Sequence, residues 1–305
     1  MIDSPLVSVV MGVRNGLPDL AGTLESLTTQ LEVAFEIIVI NDGSTDGTAD
    51  LLSEWSTRDP RLVVLHRSGR GLTASLIEGC QLARGTYLAR QDSGDSSLPG
   101  RLAAQVACLE ADPEASLCST FVRLVVPEGA TLAVNRPDEG SLADGLTGPA
   151  HHGAVMMRRS AYGQAGGYRL AFHYAQDIDL WSRLVELGRH RVVPHILYEA
   201  IVAPGSISGS RRKEQEQFHA YIVNLTKARR QGLPELAWLA KAEALSVRCK
   251  NAPAKGRRTG TANGAYFIAA CLERDHPQLA AKYFRQALDL NPLHMKARLK
   301  LSRLR

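Results

Sequence analysis

The sequence has few cysteines, few aromatic residues and no long apolar run, and these shortages exclude several classes of protein. Only 5 of the 305 residues are cysteine, and none are spaced as C-x-x-C, so neither a disulfide framework nor a zinc site is indicated. No apolar stretch reaches the roughly 18 residues that cross a bilayer. Residues 1–5 lack the basic and apolar segments of a signal peptide, so we expect a cytosolic chain.

Lysine is absent from the first 200 residues, although the whole chain carries a net charge of +5. Residues 1–200 hold 16 Arg and 24 acidic residues, a net charge of −8, whereas residues 201–305 hold 20 basic and 7 acidic residues, a net charge of +13. A basic second part suits an anionic membrane surface, nucleic acid, an acidic partner or solvated helices. The change predicts one domain over residues 1–205 and another over 206–305.

Short β-rich runs alternate with helical segments in the first part. Strands are predicted at residues 6–11, 36–40, 62–65 and 86–89, and helices lie between them, at about 18–27, 48–55 and 72–83. This alternation favours βαβ units and a mostly parallel sheet. Later, residues 151–157 are predicted as a strand and 174–184 as the start of an amphipathic helix.

Two of the three loops that follow the predicted strands are acidic, whereas the loop after the first strand, residues 13–15, is not. Asn41 and Asp42 follow the second strand, and residues 90–95, Arg-Gln-Asp-Ser-Gly-Asp, follow the fourth. Ligands of parallel sheets bind beyond the carboxyl ends of the strands. Carboxylates there suit base and ribose groups and a hard divalent cation. No G-x-G-x-x-G follows the first strand and no G-x-x-x-x-G-K-[ST] occurs, so dinucleotide-binding and P-loop functions lack support.

Read in order, five segments resemble the family 2 glycosyltransferases, inverting enzymes of the GT-A fold. The resemblance spans residues 5–200. The segments are PLVSVVMGVRNG at the start, EIIVINDGSTDGTAD at 36–50, a glycine-initiated block from residue 71, YLARQDSGDSSLPGRL at 87–102, and HGAVMMRRSAYGQAGGYR followed by AQDIDLWSRL. The resemblance implies an α/β GT-A nucleotide-diphospho-sugar transferase fold and transfer of a sugar from a nucleotide-sugar to an acceptor hydroxyl.

The resemblance also implies roles for single residues in donor binding. Asp42 corresponds to the carboxylate that binds the nucleobase, and Asn41 stands where many members have a second Asp. Val13 and Arg14 would flank the nucleotide. Asp92 opens the segment that matches the D-x-D motif, where ribose, diphosphate and metal meet.

Two positions depart from the family pattern. Gly94 stands at the position that is normally the direct metal ligand, so we expect Asp92 and Asp95 to hold Mn²⁺ or Mg²⁺, or a metal that is bound weakly or not at all. Gln176 replaces the Glu that precedes the base. Asp177 matches the general base that takes a proton from the acceptor, although acids near a helix start more often cap the helix.

Three other side chains lie near these motifs. His152 matches a common family histidine and is expected to face the acceptor or the phosphates, whereas His151 is as readily a surface residue. Trp181 either lines the acceptor pocket or lies in the core. Arg90 is expected to pair with Asp92 or with the diphosphate.

The last third of the chain has helical periodicity. Residues 213–230 and 233–249 are predicted helices, and residues 251–260 a linker. The end resembles part of a tetratricopeptide repeat, with Ala280, Phe284, Ala287 and Pro292 at the spacing of its second helix. A single repeat cannot bury its own apolar face, so it would pack on preceding helices, another subunit or a protein partner.

The basic clusters at residues 211–213 and 257–258 predict peripheral contact with an anionic membrane, near a lipid-linked or other glycan acceptor. No nucleic-acid motif is present, so we expect no nucleic-acid partner. The predicted function is an inverting glycosyltransferase of surface glycan or polysaccharide biosynthesis. A catalytically degenerate GT-A scaffold and a nucleotidyltransferase are the alternatives, although the glycine-rich basic loop usual in the latter is missing.

Overall fold

The computed structural model describes residues 4–139, 148–149, 151–205, 212–251 and 255–304. Within these ranges, nine strands form one sheet. They are β1 (Val7–Val13), β2 (Phe35–Asp42), β3 (Leu62–Arg67), β4 (Tyr87–Arg90), β5 (Ser96–Ser97), β6 (Ala115–Val125), β7 (Thr131–Asn135), β8 (Val155–Arg158) and β9 (Arg189–Ile201). Their order is β3-β2-β1-β4-β8-β6-β9-β5, with β7 paired to β6.

The same described ranges contain eleven α-helices and a 3-10 helix at His152–Ala154. The α-helices are α1 (Leu20–Thr28), α2 (Thr48–Arg58), α3 (Leu72–Leu82), α4 (Arg101–Ala111), α5 (Arg159–Gln164), α6 (Gln176–Leu184), α7 (Arg212–Arg230), α8 (Leu236–Lys250), α9 (Lys255–Leu272), α10 (Pro277–Leu290) and α11 (Met295–Arg303). None of these helices, over the residues described, combines the length and apolar character that crossing a bilayer requires.

The sheet is parallel in its first half and mixed in its second. Strands β3, β2, β1 and β4 are parallel, as the alternating pattern predicts. β8 lies antiparallel between β4 and β6, whereas β9 is parallel to β6. The expectation of a mostly parallel sheet therefore holds for the first four strands and for the β6–β9 pair, whereas β5, β7 and β8 pair antiparallel with their neighbours.

Helices cover both faces of this sheet. α1, α2 and α4 pack on one face through residues that include Leu24, Leu52 and Val106. α3, α5 and α6 pack on the other, where Leu76 and Leu180 are buried. β2 is buried along its whole length, which explains its nearly continuous apolar sequence. The GT-A prediction of a sheet between helical layers is confirmed, and the carboxyl ends of β1, β2 and β4 are left to loops.

The C-terminal helices pack in two places. Phe218 and Ile222 of α7 are buried with Phe172, just before α6, whereas α9, α10 and α11 pack on the end of the β6–β7 hairpin at Val126. Ala280, Phe284 and Ala287 of the tetratricopeptide-like helix α10 are thus covered by α9 and by the end of this chain's own sheet. The predicted boundary near residue 205 falls beside residues 206–211, outside the described residues, and stays a prediction.

The predicted linker at residues 251–260 is wrong from Lys255 onwards, because α9 begins there. Ala262, Ala265 and Ile268 are fully buried at helical spacing, so packing against α10 overrides the glycine-rich composition. In the predicted basic clusters, Arg211 and the side chains of Arg212 and Arg257 lie outside the described part of the chain.

Candidate active site

The acidic loop after β4 is held by one tyrosine of β9. Tyr198 Oη donates a hydrogen bond of 3.0 Å to Asp95 and accepts one of 3.1 Å from the backbone N–H of Asp92. The other carboxylate oxygen of Asp95 accepts a hydrogen bond of 2.9 Å from the backbone N–H of Ile201. Both acids of the loop are therefore fixed by a strand that follows them by about a hundred residues.

Two fully buried arginines lie beneath this loop. Arg90 donates to Asp92 at 2.6 Å and to backbone carbonyls of Val10 and Gln91. Arg101 donates to the carbonyls of Arg90 and Gly153, each at 2.7 Å. Of the two partners predicted for Arg90, the structure shows Asp92.

His151 joins the two carboxylates. Its Nδ1 is 3.9 Å from Asp92 and its Nε2 is 3.7 Å from Asp95. One ligand atom from each of the three residues lies within 4.8 Å of the other two. Two carboxylates and an imidazole form a donor set that suits Mn²⁺. The structure thus brings the predicted ligands together and adds His151, which sequence reasoning leaves out.

The charges of this cluster also fit a cation. Burial and the charge of Asp92 raise the pKa of Asp95 to about 8. Burial opposes ionisation of Asp92 too, but the charge of Arg90, with a further contribution from Arg101, holds the pKa of that carboxyl below its usual value. The chain alone therefore keeps one carboxylate charged and the other protonated at neutral pH. A divalent cation between them would favour both ionised forms.

His152 points away from the loop, into the protein. Its Nε2 lies 2.7 Å from Tyr168 Oη and accepts a hydrogen bond of 3.2 Å from Arg90 Nε. Burial and the charge of Arg90 lower the pKa of His152 to about 3, so its imidazole is neutral. His152 therefore holds Arg90 in place through this hydrogen bond. Its predicted contact with the acceptor or the phosphates stays a prediction.

Trp181 packs edge-on against His152, with ring centroids 6.2 Å apart. Its side chain is buried in the core, and its Nε1 has no hydrogen-bond partner among the residues described. Of the two roles that the sequence leaves open for Trp181, this burial favours the core.

The residues predicted for the nucleotide meet at the ends of β1 and β2. Val13 pairs in register with Asn41, and Asp42 follows at once. The carboxylate of Asp42 accepts hydrogen bonds from the backbone N–H groups of Arg70 and Gly71, at 2.7 and 2.6 Å. Arg14, directly after β1, has an exposed side chain. The structure thus places the four predicted residues along one rim of the sheet. This rim lies next to the loop at Arg70 and Gly71, whose backbone N–H groups bind Asp42.

Asp177 lies in the first turn of α6, at the wall of a cleft of about 340 Å³. Burial, and further the charge of Asp92, raise the pKa of Asp177 to about 6. Ala175, just before the helix, has a φ of 58°, a left-handed conformation that is costly for alanine. Gln215, Glu216 and His219 of α7 form the opposite wall. No local sequence signal links α7 to Asp177, so sequence reasoning misses this wall.

Comparisons with known sequences identify the family of this chain. The family model described as Glycosyl transferase family 2 matches residues 8–166. The chain is 37% identical over 196 residues to the putative glycosyltransferase EpsE of Bacillus subtilis, which covers 62% of this chain and 69% of that protein. It is 24% identical over 222 residues to a chondroitin synthase of Pasteurella multocida, covering 72% of this chain but only 24% of the synthase.

Solved structures show the same fold. S. aureus TarS 1–349 in complex with UDP-GlcNAc aligns with a TM-score of 0.57 at 14% identity, covering 98% of this chain and 88% of that one. The mannosyltransferase PcManGT from Pyrobaculum calidifontis, in complex with GDP-Man and Mn²⁺, aligns with a TM-score of 0.56 at 18% identity, covering 99% and 84%. The chain belongs to glycosyl transferase family 2 and has the GT-A type of fold.

Proposed function

We propose that this protein transfers a sugar from a nucleotide-diphosphate sugar to an acceptor hydroxyl, with inversion, in the synthesis of a surface glycan or polysaccharide. One observation carries the proposal. Asp177, an acid whose pKa is raised by burial and further by the charge of Asp92, borders a cleft. We therefore assign the candidate base to this cleft, beside the candidate donor site.

The donor would lie along the rim formed by the ends of β1, β2 and β4. Asp42 would bind the nucleobase beside Asn41, with Val13 and Arg14 flanking the nucleotide. The diphosphate would then reach Asp92. The bound UDP-GlcNAc and GDP-Man of the two structural neighbours support a donor of this class.

Asp92, Asp95 and His151 are the residues that would hold Mn²⁺ or Mg²⁺. When bound, the cation would neutralise charge on the departing diphosphate. The protein itself fixes this arrangement through Tyr198, since that hydroxyl contacts both ends of the loop. Arg90 keeps Asp92 ionised and ready to accept the cation.

Asp177 would act as the general base. Its carboxylate would take the proton of the acceptor hydroxyl while that oxygen forms a bond to the anomeric carbon. The bond from this carbon to the diphosphate oxygen would break on the opposite side, so the configuration inverts. The nucleoside diphosphate leaves as a stable anion and needs no acid from the protein.

The acceptor would enter beside α7. Gln215 and His219 line the cleft with hydrogen-bonding side chains that suit the hydroxyl groups of a glycan, free or lipid-linked. α7 lies beyond the residues matched by the family model. We therefore assign acceptor choice to this helix.

The test replaces Asp177 by Asn. Turnover is expected to fall by about a hundredfold or more, because a general base typically accelerates a reaction by this factor. Calorimetry should show unchanged binding of the donor. Asp50→Asn is the matched control, because Asp50 is an exposed acid in the first turn of α2. Unimpaired turnover in Asp177→Asn refutes the assignment.

The products distinguish the alternatives. A glycosyltransferase releases a nucleoside diphosphate from a UDP-, GDP- or dTDP-sugar. A nucleotidyltransferase instead joins a nucleoside triphosphate to a sugar 1-phosphate and releases pyrophosphate, and a scaffold does neither. Chromatography of the nucleotide products after separate incubations with nucleotide-sugars and with triphosphate plus sugar 1-phosphate therefore separates the three functions.

A further inference from the structure

The last helix of the chain, α11, has an uncovered apolar side. Met295 is 68% exposed and Leu299 is 56% exposed, and they lie one turn apart on one face. Leu293, in the turn before the helix, is 80% exposed. On the opposite side, Ala297 and Leu301 pack in the core shared with α9 and α10. The helix is therefore anchored by one face and presents the other outward.

Basic residues flank the exposed apolar face. At 100° per residue, Lys296 and Arg303 lie to one side of the line from Met295 to Leu299, and Arg298 lies to the other. All three basic side chains are exposed. Lys300 points inward and pairs with Glu273 at 2.5 Å. Residues 290–304 contain no acidic residue, against four Lys and Arg.

We propose that α11 docks this protein on an anionic lipid bilayer and lies in the plane of the interface. Leu293, Met295 and Leu299 would enter the boundary between headgroups and acyl chains, and the flanking cations would meet lipid phosphates. Charge complementarity selects this partner, because an anionic plane contacts cations on both sides of the apolar strip at once. None of these residues lines the Asp177 cleft, so the proposal goes beyond sugar transfer.

The experiment uses flotation of the full chain with vesicles of phosphatidylcholine alone or mixed with phosphatidylglycerol. Wild-type protein is expected to float with the anionic vesicles. The double variant Lys296→Gln/Arg298→Gln should lower the partition coefficient roughly thirtyfold, from the usual worth of two juxtamembrane charges. Leu293→Ser/Leu299→Ser should also lower binding, including at high salt, where the charge contribution is screened.

Matched controls come from α8. Arg248→Gln/Lys250→Gln removes the same charge from exposed positions. Leu236→Ser/Val247→Ser changes side chains that are 76% and 58% exposed. Both control proteins are expected to float like wild type. Turnover with a water-soluble acceptor should be equal in all variants, which keeps failure of the docking proposal distinct from failure of the proposed activity.

Equal binding to both kinds of vesicle overturns the proposal, and so does an equal loss in the α8 controls. Sedimentation gives a further decisive outcome. If lipid-free protein self-associates, if Leu293→Ser/Leu299→Ser abolishes that association, and if no vesicle is bound, then the face belongs to a second copy of the chain and the membrane proposal is wrong.

Discussion

Asp177 and Asp179 lie two positions apart in the first turn of α6 and face opposite surroundings. Asp179 is fully buried, 2.6 Å from Arg183 and 3.7 Å from Arg169. Asp177 lies at the cleft and has no ion-pair partner among the described residues. Two positions turn a helix by about 200°. One acid therefore holds the helix in place, and the other is the proposed base.

Replacing Asp179 is expected to destabilise the fold. Asp179→Asn leaves Arg183 buried without its counter-charge, and breaking a buried pair costs about 3–5 kcal/mol. Asp177→Asn should not lower stability, because burial already disfavours the ionised form of Asp177. Urea unfolding of both variants measures the difference. Equal losses of unfolding free energy contradict the division of roles.

The rate of sugar transfer should depend on pH through Asp177. A base with a pKa of about 6 is protonated and inactive below that pH, so kcat/KM should fall about tenfold for each pH unit below it and level off above. Among the described residues, the titratable and charged groups that interact with Asp177 or line its cleft include Asp92, Arg90, Tyr168, Glu216 and His219.

His219→Gln is the control for this profile, because His219 is the histidine that lines the same cleft. The inflection should persist in His219→Gln. Its disappearance in that variant would assign the titration to the histidine instead.

Cation binding should depend on Asp95 and His151. Replacing Gly94 by the Asp that the family usually has at this position should not improve it. Asp95→Asn and His151→Ala are each expected to weaken Mn²⁺ binding by about tenfold or more. Gly94 has a φ of 98°, so Gly94→Asp adds strain of about 1–3 kcal/mol and should not tighten binding. Calorimetric titration with Mn²⁺ measures all three, with Ser93→Ala as the neighbouring control. Tighter binding by Gly94→Asp would contradict this ligand set.

Gly153 is required by its contact with Tyr198. A Cβ at residue 153 would lie 1.9 Å from Tyr198 Oη and 2.5 Å from its Cζ. Gly153→Ala must displace the ring that fixes the acidic loop, so we expect about 1–3 kcal/mol of destabilisation together with weaker Mn²⁺ binding. Gly163→Ala in α5 is the control, because its new Cβ would meet no atom within 4 Å. Thermal unfolding that is unchanged in Gly153→Ala would disprove the packing argument.

Much of the donor side can be predicted from the sequence. Asp42 and Asp92 follow apolar runs whose spacing predicts parallel strands, and the carboxyl ends of such strands share one edge. The choice between His151 and His152 cannot be made in this way. The predicted strand over residues 151–157 begins only at Val155, because His152–Ala154 form a 3-10 turn. His151, just before this turn, is extended, with φ −153° and ψ 138°, and reaches the carboxylates. His152 lies within the turn and contacts Arg90 instead.

The acceptor side and the support of the loop are set by tertiary packing. Tyr198 lies in a stretch of sequence that contains no recognisable motif, and its partner Asp95 is 103 positions away. In the sequence, Gln215 and His219 occupy ordinary polar positions of an amphipathic helix and carry no functional signal. Only the docking of α7 at Phe172 brings them to Asp177.

The late position of β9 has a consequence for synthesis of the protein. The acids of the loop leave the ribosome first, and the backbone N–H of Ile201 that binds Asp95 follows 106 positions later. A nascent or truncated chain that ends at residue 166, where the family model ends, therefore contains the acidic motif without the strand that orders it. Such fragments should bind neither cation nor donor, and the smallest active fragment must extend past Ile201.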